Sequence, residues 1–380
     1  MMKGLINLVF VTLVLSLFSC KKDNNDNDGE EEYQLPEGWV EVASPAHIRT
    51  KFAAILMADG KVMITGGISQ IDEYPGWEPL TSCEIYDPET NTWSQVADLL
   101  HHHMLHNMTL LQDGRIFLFG GFNSTQDLSS DYTKYGEIYD PETDTWTLTP
   151  SIQDYTYGGP AVNLLPSGKV MVLGKNDAFE YDPETNTYEQ KPYADLGSQN
   201  LIGAQMVNID DTSFMVIGGG GISPHVLSII TNNLQRTYYT MNYPHSFFAA
   251  IQLLNKDILI SHGRYASREH PELFNMETKQ WEELDIMYEM MFGKFFYGKP
   301  GKIIAFGDVY LQEYDIASRT WTRLDRPVAC WRNDVDVPAV QLPDGRIFIT
   351  GGWDLKSNPD PRYAYEILET YHKKSYIYTP

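Results

Sequence analysis

Residues 59–67 read Asp59-Gly60-Lys61-Val62-Met63-Ile64-Thr65-Gly66-Gly67. A tight-turn dipeptide leads into a short run of strand-favouring residues, and two glycines stop it. The run ending in glycine returns at Ile116 to Gly121, Val170 to Gly174, Phe214 to Gly219, Ile258 to Gly263, Ile303 to Gly307 and Ile347 to Gly352. The position of its first glycine falls at 66, 120, 174, 218, 262, 307 and 351, with spacings of 54, 54, 44, 44, 45 and 44. A fixed period of this size is the mark of an architecture built by repetition, here from seven units.

Each unit opens with a hairpin. Asp59-Gly60, Asp113-Gly114, Ser167-Gly168 and Asp344-Gly345 stand just upstream of the runs, where two antiparallel strands need a tight connection. Downstream comes Asp87-Pro88-Glu89-Thr90-Asn91-Thr92-Trp93, repeated at Asp140 to Trp146 and Asp182 to Tyr188, with looser copies at 232–238, 275–281, 315–321 and 370–376. Asp followed by Pro suits a type I turn, and the aromatic residue then starts a fourth strand with a large face to bury. Four strands per unit and seven units predict an all-β fold, a seven-bladed β-propeller with four-stranded blades. Gly38-Trp39-Val40-Glu41 reads as one more fourth strand, because Trp39 stands ten residues before Arg49 as Trp93 stands ten before His103. This N-terminal strand is expected to close the ring, with Tyr376 to Thr379 competing for the same place.

The Asp-Pro-Glu-Thr-Asn-Thr-Trp phrase and Leu342-Pro343-Asp344-Gly345-Arg346 resemble the kelch family and the central domain of galactose oxidase-like proteins, over about residues 38 to 380. The resemblance implies a kelch-type propeller and says little about function. The copper radical site of such oxidases needs a Cys-linked Tyr, a Tyr-His pair and a further His. Where the pair would fall, this chain has Trp331-Arg332-Asn333-Asp334. No copper site and no other cofactor is expected.

Composition narrows the function classes. Hydrophobic residues make up 42% of the 380 and aromatics 13%, which supplies a large core. Against 28 Lys+Arg stand 51 Asp+Glu, and a formal charge of −23 repels a phosphate backbone, so nucleic acid is not an expected partner. The three cysteines, Cys20, Cys83 and Cys330, are too few for a disulfide framework and lack metal-binding spacing.

Residues 1–19 read as a signal peptide, with Lys3 followed by a nearly unbroken apolar run from Leu5 to Phe18. As a helix that run would reach roughly 21 Å, short of the roughly 30 Å hydrocarbon core. Leu17-Phe18-Ser19-Cys20 resembles the lipobox of bacterial lipoproteins, which implies lipidation of Cys20. Residues 20–34 are polar and acidic and form a solvated tether, and the propeller is expected over 35–380. Acidic residues soon after the cysteine resemble the tethers of Bacteroidota surface lipoproteins. The implied location is the outer membrane, with a lipid anchor and the cell surface as destination.

In a four-stranded blade the longer connections share one face of the ring, and loops of that kind carry function in propellers. Seventeen residues before each first-glycine position lies the start of the innermost strand: Arg49, His103, Tyr157, Leu201, His245, Met290 and Asp334. A mouth of Arg, His, Tyr and Asp suits a sugar or an acid. It also suits proton transfer with Tyr157, His103 or His245 as base and Arg49 holding a carboxylate. Trp77, Trp331 and Trp353 with Arg264, Arg268, Arg332 and Asp354 stand on the surrounding loops, where aromatic platforms match flat sugar faces. His101, His102, His103 and His106 place no three imidazoles on one side of a strand, so no metal is expected. The expected partner is a glycan or protein ligand bound at the long-loop face, and the enzymatic alternative is a polysaccharide lyase or sugar mutarotase. Cys20→Ala is expected to move the protein from the membrane fraction to the soluble one on cell fractionation, because acyl chains are what would hold it there.

Overall fold

A computed structural model describes residues 34–70, 77–123, 132–153, 161–174, 178–191, 204–210, 213–218, 226–231, 236–243, 245, 248–263, 270–288, 293–307, 310–327, 338–351, 353–357, 367–371 and 373–380. Residues Leu35–Pro380 form one unit. Its first blade has the inner strand Ala53–Leu56, then Val62–Thr65, Cys83–Asp87 and the outer strand Thr92–Val96, all antiparallel. The second strand is wholly buried because the sheet is covered on both faces by neighbouring blades, which explains its continuous apolar run.

Five further repeats, starting at Asn107, Val162, Gln205, Ala250 and Lys294, build the same four-stranded sheet from consecutive strands. The last repeat does not. Its sheet runs Ala339–Gln341, Ile347–Thr350, Ser375–Tyr378 and then Trp39–Val42, so three strands come from the C-terminal end and the fourth from the N-terminal end. The expected seven-bladed propeller is thereby corrected to one of six blades, each built whole from one repeat, while the seventh repeat shares a composite sheet with the N-terminal strand. Trp39 and Tyr376 do not compete: Tyr376 lies on the third strand and pairs with both Ile349 and Glu41. Residues 370–376 are therefore not a copy of the turn that precedes a fourth strand. Thr379 N–H donates to the Gly38 carbonyl where that turn would be.

The repeated turn is held by its aspartate. Asp87 Oδ1 accepts the N–H groups of Glu89 and Thr90 at 2.9 and 3.2 Å, and Asp182, Asn275 and Asp315 do the same in their blades. The residue four positions on takes positive φ, at Asn91, Asp144, Asn186, Lys279 and Arg319. Gly66 and Gly67 are required by close approach. A Cβ on Gly66 would meet the His103 carbonyl of the next blade at 2.5 Å, and one on Gly67 the Thr50 carbonyl at 2.4 Å.

The turn and its aromatic residue also lock neighbouring blades. Trp146 Nε1 donates to Ala97 O at 2.9 Å, and Asp144 Oδ1 accepts from Ala97 N at 2.8 Å and from Tyr139 OH at 2.9 Å. In the first blade Trp93 and Asn91 grip Ala43, which leaves the N-terminal strand, in the same way. Trp39 in turn donates to Asp325 O of the sixth blade. It packs on Tyr378 at 4.9 Å as Trp93 packs on Tyr86 at 5.2 Å, so the composite sheet is bonded on both sides. Where the turn carries Lys279 and Arg319 instead of Asn or Asp, Trp281 Nε1 and Trp321 Nε1 are buried without an acceptor.

Trp146→Phe removes a satisfied indole hydrogen bond and leaves the Ala97 carbonyl unpaired, whereas Trp281→Phe removes an N–H that has no partner. Urea denaturation is expected to show Trp146→Phe as the costlier change by about 1 to 2 kcal/mol.

Candidate functional site

Two connectors on the long-loop side extend as two-stranded ribbons. Ile68–Gln70 pairs with Trp77–Pro79 in the first blade, and Trp353–Ser357 pairs with Ile367–Tyr371 in the last repeat. The first blade and the composite sheet are neighbours, since the strand Ala53–Leu56 lies beside Ala339–Gln341. In the second blade Phe122 bridges both Met104 and Tyr132, and the Phe122 and Tyr132 rings stand 4.9 Å apart.

Beneath this face lies a recurring buried acid. Glu84, Glu137 and Glu272 each stand three residues before the turn residue Asp87, Asp140 or Asn275. All three side chains are buried. Glu84 Oε2 accepts from Ala46 N at 2.6 Å, and its Oε1 accepts from Arg49 Nη2 at 2.7 Å. Arg49 also donates to the Gly66 and Ser82 carbonyls and to Ser82 Oγ. Burial pulls the Arg49 guanidinium below its usual range, and Glu84 opposes that pull. Glu137 accepts the N–H groups of Leu100 and His101 and stands 3.3 Å from His103 Nε2. Glu272 accepts from Asn242 N and lies 2.7 Å from His245 Nε2. Each acid thus satisfies the backbone of the chain entering the inner strand and captures the polar side chain three residues further on.

Arg49, His103 and His245 do occupy equivalent places, as the repeat count predicts. Their side chains are at most 1% exposed and turn to these glutamates rather than to an open mouth. Tyr157, Asp334, Trp331, Arg332 and Arg264 lie outside the described residues, and Trp353 is described as the first residue of its strand. The glutamates were the missed partners. Their signal was the acid recurring three positions before the turn residue.

Of the histidine cluster, His103 and His106 are committed to the scaffold. His103 Nδ1 faces Gly120 O at 2.9 Å, and His106 Nε2 faces Thr65 Oγ1 at 2.8 Å. Burial holds the His106 imidazole well below its usual range and lowers His262 to about 4, helped there by His245. Among the described residues no three His, Cys, Asp or Glu side chains form a group that could hold a metal ion. Cys83 is buried with its thiol pushed far above the usual range by desolvation, which leaves it unreactive.

Side chains presented to solvent on the connectors into the inner strands are Ile48, Leu100, Ile286 and Tyr288, with His47 and His101 each about two-fifths exposed beside Glu84 and Glu137.

The Kelch motif model matches residues 49–100 and 110–153. Alpha-scruin of Limulus polyphemus is 30% identical over 118 residues, covering 27% of this chain and 12% of that protein. Kelch-like protein 15 of Danio rerio is 27% identical over 184 residues, covering 43% of this chain and 30% of that protein. The chain therefore spans less than a third of the length of either. A solved fungal alcohol oxidase described as of the AA5 family and in complex with copper superposes with a TM-score of 0.65 over 91% of this chain and 77% of its own, at 14% identity. At that identity the likeness is one of fold.

Arg49→Ala leaves Glu84 buried without its cation and is expected to cost about 3 to 5 kcal/mol in chemical denaturation. The double change Arg49→Met with Glu84→Leu is expected to cost less than the sum of its parts.

Proposed function

We propose that this kelch-repeat β-propeller with four-stranded blades is the recognition domain of an outer-membrane lipoprotein at the cell surface, binding glycan or protein ligands through its long-loop face. The observation that carries the reading is the commitment of Arg49, His103 and His245 to buried glutamates. A polysaccharide lyase or sugar mutarotase reading calls on those three with Tyr157, and groups spent on the scaffold cannot touch a substrate. What remains for ligands among the described residues is the rim: the two ribbons and the connectors carrying Leu100 and Tyr288. Aromatic residues with hydrogen-bonding neighbours on a rigid scaffold suit recognition without turnover. The anchor and location rest on the lipobox-like Leu17-Phe18-Ser19-Cys20 and the acidic tether.

The test is a screen of the full chain against glycans and surface proteins, read for binding and for products. Trp353→Ala and Trp331→Ala are expected to abolish capture of the ligand found, with no product released by the unaltered protein. Glu89→Lys and Glu142→Lys, on the tight-turn face, should leave capture unchanged. Dependence on Glu89 or Glu142 instead, or turnover of the bound glycan, would overturn the reading.

A further inference from the structure

The sixth blade departs from the acid pattern, and the departure faces solvent. Where other blades bury Glu84, Glu137 and Glu272, this one buries Gln312. The Gln312 amide holds both backbone groups of Tyr288: Oε1 accepts from its N–H at 2.8 Å and Nε2 donates to its carbonyl at 3.0 Å. The backbone of Tyr288 is thereby fixed, while the residue as a whole is 49% exposed. Tyr310, at the start of the strand Leu311–Asp315, stands beside it with ring centroids 5.1 Å apart and planes tilted by 40°.

Arg323 completes the group. It lies on the outer strand Thr320–Leu324 as the Cα partner of Gln312 and is exposed. Its guanidinium carbon is 4.9 Å from the Tyr310 centroid and 5.9 Å from that of Tyr288. Four other described arginines are neutralised by carboxylates: Arg49 by Glu84, Arg115 by Asp113, Arg319 by Glu282 and Arg346 by Asp344. The charge of Arg323 rests against aromatic faces, in a chain of net charge −23.

We propose that Tyr288, Tyr310 and Arg323 form a subsite for an acidic sugar unit of a glycan, an inference that rests on the long-loop face being the recognition face. A guanidinium lying over a ring keeps its N–H edge free, and that edge takes a carboxylate through two parallel hydrogen bonds. The exposed Tyr288 face accepts the C–H face of a pyranose, and the phenol hydroxyls serve its ring hydroxyls. The overall negative field repels a densely charged polyanion, whereas one carboxylate on one guanidinium is balanced locally. An acidic peptide would also need partners for its backbone amides, which these three side chains do not supply in series.

Calorimetric titration of the full chain with a neutral galactose oligomer carrying one galacturonic acid unit, its methyl ester and an oligoglutamate peptide tests this. The acid oligomer is expected to bind. Arg323→Gln and esterification should each weaken binding on the order of ten-fold or more, without adding to one another, since both remove the same contact. Tyr288→Ala should weaken acid and ester alike, and Arg319→Gln, in the turn that precedes the Arg323 strand, should change nothing. Melting temperatures of the variants should match that of the unaltered protein. Equal affinity for acid and ester, insensitivity to Arg323→Gln, no binding of the acid oligomer, or tighter binding of the peptide would each overturn the subsite. A different ligand lost with Trp353→Ala but kept with Arg323→Gln would overturn the subsite and leave the recognition face standing. A ligand captured only through the tight-turn face would remove both.

Discussion

The glutamate buried on the third strand is the contact on which the candidate face depends. Chain entering a new blade arrives from the outermost strand of the previous one and crosses to the centre, exposing N–H groups that no ladder pairs. Glu84, Glu137 and Glu272 take those donors, and Gln312 does so for the sixth blade. A carboxylate placed where water cannot reach it needs a cation or several donors, and both come from the segment it restrains. Interior and loop face are therefore made by the same groups, which is why polar residues at the heads of the inner strands are structural here.

Inter-blade adhesion follows a second rule that depends on residue type. An Asn or Asp at the left-handed position of the turn binds the outgoing chain of the neighbouring blade, and the indole beside it takes the matching carbonyl. Lys279 and Arg319 can adopt the same backbone angle but offer no acceptor, so the indoles beside them stay unmatched. Around the inner strands, Asn208, Gln252 and Gln341 each reach across to a carbonyl of the adjoining blade.

Most of the scaffold was legible because it repeats: the turn aspartate, the aromatic after it and the glycine pair each carry a local physical reason. Ring closure was half legible. Trp39 announced a fourth strand by its distance from Arg49, but its pairing with Ser375–Tyr378 is a long-range fact that local pattern does not encode. At the candidate face, counting back from the glycines found Arg49, His103 and His245 without revealing what they face. The answer lay on another strand of the same blade, in an acid whose spacing from the turn residue repeats. The Tyr288, Tyr310 and Arg323 group escaped detection because its members come from three separate segments and share no period.

Closing the last sheet with the first strand also orders events in time. Trp39–Val42 pairs with strand Ser375–Tyr378, made roughly 340 residues later. At the usual 5 to 20 residues per second of synthesis, that is a wait of roughly 20 to 70 seconds. Through that interval the six whole blades can form in succession while the ring stays open and the N-terminal strand has no edge to join. The step that seals the domain is thereby withheld until Ser375–Tyr378 has been made.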